Sequence, residues 1–275
     1  MVLPRACLPA WLLCAALVSA ATQAQDAGAL RVRHAAMEQQ FANTPFGRPL
    51  HVESTTSGGR HQGDIHAIIE TPHSEVAAAL ADPAHWCDIL MLQFNVKHCT
   101  LSGGDGGGTL TTFFTKKPRD RLDSAYRIEF GFQVAAASAD YLSVALNAPT
   151  GPVGTRDYQI RLEAAPLDSQ RTFIHLSYAY RLNALTWLAI EAYLLTAGRN
   201  KVGFTVVERL PDGGPVYVDG VRGIVERSAM RYYIAIETFL QTLPMPPEQR
   251  LEPRLRRWYA EVYRYPQLHE PLSAD

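Results

Sequence analysis

Between residues 125 and 182 four successive segments, AYRIEFGFQV, DYLSVALN, TRDYQIRLEA and RTFIHLSYAYRL, alternate apolar and polar side chains. A period of two is the pleat of a strand that buries one face: Tyr126, Ile128, Phe130, Phe132 and Val134 fall on one side, with Arg127, Glu129 and Gln133 on the other. Upstream, MLQFNVKHCTL and TLTTFFTKK flank the flexible connection SGGDGGG as a hairpin, the first with Leu92, Phe94 and Val96 on one face. The pattern predicts a meander of at least six antiparallel strands.

Helical spacing brackets this meander. Residues 29–42 predict a leading helix that ends at Asn43-Thr44-Pro45, and PLHVESTTSGGRHQGDIHAIIE predicts two strands around Ser57-Gly58-Gly59. In the second strand Ile65, Ala67 and Ile69 share one face, and Asp64, His66 and Glu70 the other. Thr71-Pro72 ends it, Glu75 to Leu80 forms a short helix, and Asp82-Pro83 stops that helix and starts another turn carrying Trp86 and Cys87. Residues 184–197 predict an apolar helix stopped by Gly198. A long helix from about Val221 to Leu243 carries the stripe Val221, Ile224, Val225, Ala229, Tyr232, Ile236, Phe239, Leu240 and Leu243. A short tail helix between prolines follows.

The opening MVLPRACLPAWLLCAALVSAATQAQ places one arginine before an apolar run that ends in small residues, the pattern of a cleaved secretory signal. A bacterial host, periplasmic or secreted location and loss of Cys7 and Cys14 with the signal are the resulting expectations. Cys87 and Cys99 then remain, and in an oxidising compartment an even pair is expected to form a disulfide, with two buried free thiols as the alternative. The net charge of −1 and the absence of a basic run exclude the electrostatic footprint of a nucleic-acid binder.

The order of strand, short helices, curved meander and long carboxy-terminal helix, together with ETPHSEVAAALADPAHWCDIL, resembles the START-like, or helix-grip, superfamily (SRPBCC). That stretch looks like the superfamily's strand, proline, valine-led helix, Asp-Pro and tryptophan opening. The resemblance implies an α+β fold in which a curved antiparallel sheet wraps a long carboxy-terminal helix, with apolar ligands held between them. It divides the chain into a signal (1–24), an arm (25–59), a ligand-binding domain (60–243) with a lid-like insertion (184–217), and a tail (244–275).

The expected ligand is an apolar or amphipathic, lipid-like small molecule, and a periplasmic lipid carrier is the expected role. Its wall would comprise Phe130, Phe132, Tyr178 and Tyr180, its lid Trp187, and its polar contacts Glu226, Arg231 and Tyr233 on the long helix. The apolar segment around Trp187 alternatively docks on a membrane or partner, and a transient membrane or transporter contact is expected. No Gly-x-Ser-x-Gly elbow, HExxH or CxxC occurs, and SGGDGGG lacks a following Lys-Ser/Thr, so no catalytic residue, metal or cofactor is assigned. Two rivals stand beside the carrier. One is a cyclase or hydrolase of the same fold using His66, His175, Glu226 or a tyrosine in proton transfer; the other is an interaction module with a filled core. His66 and His175 are the histidines expected to meet across the sheet.

Overall fold

The structure, a computed structural model, describes residues 26–104, 107–194, 196 and 198–269. The expected signal at 1–24 lies outside the described residues. Eight antiparallel strands form one sheet: β1 (Leu50–Ser57), β2 (Arg60–Ile69), β3 (Val96–Ser102), β4 (Gly107–Phe114), β5 (Tyr126–Ala137), β6 (Leu142–Thr150), β7 (Arg156–Pro166) and β8 (Thr172–Arg181). Their order is β1-β2-β8-β7-β6-β5-β4-β3, so the alternating meander runs from β3 to β8 and the β1–β2 hairpin joins its last strand. β1 therefore belongs to the sheet, and the domain begins ahead of residue 60, where the sequence division had placed its boundary.

Helix α6 (Gly220–Thr242) crosses the inner face, packing chiefly over β2 and β1. An antiparallel sheet laid against a long carboxy-terminal helix is the α+β arrangement that the sequence pattern leads one to expect. At Gly63 the contact is tight: an added Cβ would stand 2.5 Å from the Val225 carbonyl oxygen. Only a residue without a side chain lets the helix backbone approach that strand so nearly.

Two short helices close one end. The α3 helix (His73–Leu80) gives way to α4 (Pro83–Met91), whose N-cap Asp82 accepts a hydrogen bond from the Ala84 amide at 2.8 Å, with Pro83 in the first turn where its missing N–H costs nothing. Trp86 is buried and donates its indole N–H to Leu80 O at 2.9 Å, tying the two helices together. The predicted strand at 91–101 begins late. Trp86, Ile89 and Leu90 bury at helical spacing, so α4 runs through Met91 and β3 starts only at Val96. The sulfurs of Cys87 on α4 and Cys99 on β3 are 2.04 Å apart.

The outer face of the sheet is also covered. Residues 26–36 form α1 and Glu38–Ala42 form α2, and Ala27, Leu30, Met37 and Phe41 pack on Ala136, Tyr141, Ala165 and Phe173 as a second, smaller core. With helices on both sides, β8 is buried at nearly every position. Beyond β8 come α5 (Ala184–Leu194) and the ribbon β9 (Val206–Arg209) and β10 (Pro215–Tyr217); α7 (Leu251–Tyr263), the expected tail helix, packs on α6.

Candidate functional site

The inner face is where the sequence places a ligand, and there the structure has side chains. Phe130, Phe132, Tyr178 and Tyr180 are all buried in the main core. Tyr178 packs on Tyr158, Tyr180 and Tyr232 with ring centroids 6.0, 5.8 and 5.3 Å apart. Between sheet and α6 a cleft of about 110 Å³ remains beside Phe94, Tyr178, Arg231 and Tyr232. That space is well below the roughly 300 Å³ at which small-molecule pockets begin. Arg231 sits at its edge, donating to Leu268 O at 3.2 Å.

The remaining named residues stand apart from that cleft. Trp187 on α5 is 46% exposed, between Leu185 at 82% and Leu188 at 58%, and α5 contributes no residue to the lining of the 110 Å³ cleft. Tyr233 is buried under Arg48, whose guanidinium lies 5.0 Å above its ring and grips Glu237 through bonds of 3.0 and 2.7 Å. Tyr233 donates its hydroxyl to the same carboxylate at 3.2 Å. These contacts explain Tyr233 as a packing residue.

Glu226 is fully buried rather than solvated. Its Oε1 accepts from Ser54 Oγ at 2.6 Å and Thr205 Oγ1 at 2.7 Å, and its Oε2 from the Phe204 and Thr205 amides at 2.6 and 2.9 Å. Its helical neighbour Arg222 turns to Ser54, donating to Oγ at 3.1 Å and to the carbonyl at 3.0 Å. The carboxylate thus pins residues 204–205, distant in sequence, against α6 and the edge of β1.

That anchorage builds a groove. Phe204, held by Glu226, meets Phe46 at 5.7 Å between ring centroids, and together with Leu50, Val52 and Val206 they floor a space of about 560 Å³ along β1. Gln39, Gln40, Asn43 and Arg209 supply its polar rim. Thr44 Oγ1 donates to Leu50 O at 2.7 Å, so a side chain serves part of the β1 edge that no strand covers. The residues that form the groove, Phe46, Phe204 and Arg209, escape sequence reasoning because they come from loops and a ribbon without strong periodicity.

On the opposite face of β2, His66 and His175 are register partners with rings 4.5 Å apart and 1° from parallel, as their place in the strands predicts. His175 Nε2 lies 2.9 Å from Asp64 and Nδ1 3.1 Å from Glu163. Burial alone lowers the His175 value, yet the bonds to Asp64 and Glu163 outweigh it and raise it above ordinary imidazole. Burial would raise Glu163; the bonds from His175 and Tyr141 reverse this and hold it at about 2. His66 goes the other way, pushed down to about 3 by burial and by the His175 charge. With both nitrogens engaged by carboxylates, His175 is poorly placed to serve as a general base. Among the described residues no group of His, Cys, Asp or Glu is arranged to hold a metal ion.

No family model matches the chain, and no curated protein matches it either. Solved structures align weakly. A point mutant of norcoclaurine synthase from Thalictrum flavum shares 14% identity over 53% of this chain and 89% of its own, with a TM-score of 0.38. Ara h 8.0201 shares 12% over 66% and 99%, at 0.39. The ZhuI aromatase/cyclase from Streptomyces sp. R1128 shares 15% over 66% and 91%, at 0.38.

Proposed function

We propose that the protein is an exported carrier of an amphipathic, lipid-like molecule, and that its ligand lies in the groove along β1 rather than between sheet and α6. The observation that carries this reading is the groove itself: an apolar floor of Phe46, Val52, Phe204 and Val206 under a rim of amides and one arginine, with a volume of about 560 Å³. An apolar body resting on that floor gains roughly 25 cal/mol per Å² of buried apolar surface, before the costs of ordering. The filled interior relocates the ligand without changing its class. It would equally suit an interaction module, but the groove's size favours a small molecule.

Two further features support a carrier. Leu185, Trp187, Leu188 and Tyr193 leave α5 apolar on its outward side, a surface suited to transient contact with a bilayer. The paired sulfurs of Cys87 and Cys99 suit a disulfide made in the periplasm after signal removal. Native mass spectrometry of the mature protein recovered from periplasm, followed by organic extraction, tests the reading. A bound amphipathic molecule that is lost in Phe204→Asp supports it. An empty protein that also takes up nothing from a lipid panel removes it.

A further inference from the structure

We propose a second ligand site on the outer face of the sheet, in the cleft beneath α1, specific for a small uncharged polyhydroxyl compound of the saccharide class. The cleft holds about 650 Å³, floored by the outward residues of β1, β2, β7 and β8 and overhung by Arg33, Met37 and Gln40 of the arm. That volume is within the roughly 300–1,000 Å³ of small-molecule sites.

The first observation is His66. It is 1% exposed, lines this cleft, and neither ring nitrogen has a hydrogen-bond partner in the protein. Its ring is held flat by His175 at 4.5 Å and by Phe173 at 6.2 Å, so it cannot turn to find one. Glu53 Oε1, the nearest carboxylate oxygen, is 3.8 Å from Nδ1, beyond a hydrogen bond. A neutral imidazole offers one N–H and one lone pair, and leaving both unmet costs about 1–3 kcal/mol apiece. A hydroxyl group is both donor and acceptor, and so answers either nitrogen.

The second observation is charge. Asp64 and Glu163 are engaged by His175, and Glu163 also accepts from Tyr141 at 2.5 Å and Arg161 at 3.1 Å. Arg33 reaches over this group from α1, with Nη1 3.1 Å from His175 Nδ1. Three carboxylates, Glu53, Asp64 and Glu163, face Arg33, Arg161 and His175, and the contacts of His175 with Asp64 and Glu163 and of Arg161 with Glu163 give the wall charges of both signs rather than one. The side-chain amides of Gln40, Gln62 and Gln159 also line the cleft; Gln62 donates to Asp64 at 3.0 Å, and Gln159 accepts from Arg60 at 2.8 Å and donates to Asn147 at 3.0 Å, which leaves Gln159 a second N–H and each carbonyl oxygen a further lone pair. A wall of balanced charge and bifunctional amides selects neutral hydroxyls.

The test is titration calorimetry of the full mature protein with glucose, N-acetylglucosamine and trehalose, beside glucuronate and glucosamine as charged counterparts. His66→Phe keeps the stacked ring and removes both nitrogens; Phe204→Ala reports on the β1 groove. The expected result is that a neutral sugar binds, weakens at least tenfold in His66→Phe and is unaffected by Phe204→Ala. Binding of charged sugars alone, binding indifferent to His66→Phe, or no binding of any sugar overturns the proposal. None of these outcomes bears on the amphipathic groove, which Phe204 reports independently.

Discussion

Replacing Glu226 separates what its charge does from what its oxygens do. The carboxylate is fully buried and takes four hydrogen bonds of 2.6 to 2.9 Å, two of them from the adjacent amides of Phe204 and Thr205. In Glu226→Gln the remaining carbonyl oxygen can keep both amides while the new NH₂ turns to the Ser54 and Thr205 hydroxyls, which rotate to accept. Only the charge assistance is lost, so the expected destabilisation is about 1–2 kcal/mol. Glu226→Ala leaves two buried amides and two hydroxyls without the acceptor; at roughly 1–3 kcal/mol for each stranded donor, partly relieved by water, about 3–5 kcal/mol should be lost. Urea unfolding with the cysteines oxidised measures the difference, and amide exchange at Phe204 and Thr205 locates it. Protection at those two amides should survive in the glutamine variant and vanish in the alanine variant. If both variants lose the same stability, or the alanine variant loses under about 0.5 kcal/mol, the carboxylate does not pin this segment and the groove has another origin.

Gly63→Ala forces a methyl to within 2.5 Å of the Val225 carbonyl, and the displaced helix should lower stability by about 1–3 kcal/mol in thermal unfolding. Reduction, or Cys87→Ser with Cys99→Ser, should cost about 2–3 kcal/mol by freeing the loop between them in the unfolded chain, and denaturant midpoints with and without dithiothreitol will show it. His66 gives a signed pH dependence. Its folded value is pushed to about 3 from the 6.5 of free histidine, so between these limits the unfolded chain binds the extra proton. Its contribution to stability is present above pH 6.5 and lost as pH falls. The stability of wild type relative to His66→Phe should therefore decline on acidification from pH 7 to 4, by at most about 1.4 kcal/mol per pH unit; a flat difference would refute the buried neutral state.

The parts legible in the sequence are those fixed by local chemistry. Asp82-Pro83 announces α4, and the two-residue period sends His66 and His175 outward, where they meet. The same period cannot say what covers that side: the apolar face of residues 29–42 marks a helix without naming Phe173 as its seat. The inner aromatic residues suggest a ligand's wall because periodicity reports a face, while volume depends on how Tyr158, Tyr178, Tyr180 and Tyr232 interlock. Glu226 reads in the sequence as a polar contact for a ligand because its place on the long helix is all that the periodicity reports. Its partners Ser54 and Thr205 come from elements brought near only by the fold.

The seam between β2 and β8 joins Asp64 to Ser177, and hence two parts of the chain that are synthesised far apart. Strands β3 to β8 can zip by neighbouring hairpins, whereas the β1–β2 hairpin must wait for the last of them before either of its edges is partly relieved. Long-range pairing of this kind slows folding and leaves strand edges available to other molecules in the meantime. The arm and α6 both seat on strands at that seam, so they close over it from opposite sides once it forms. A newly made chain is therefore most vulnerable to aggregation just before β8 pairs, and a chaperone acting on it would do most by guarding the β1–β2 hairpin.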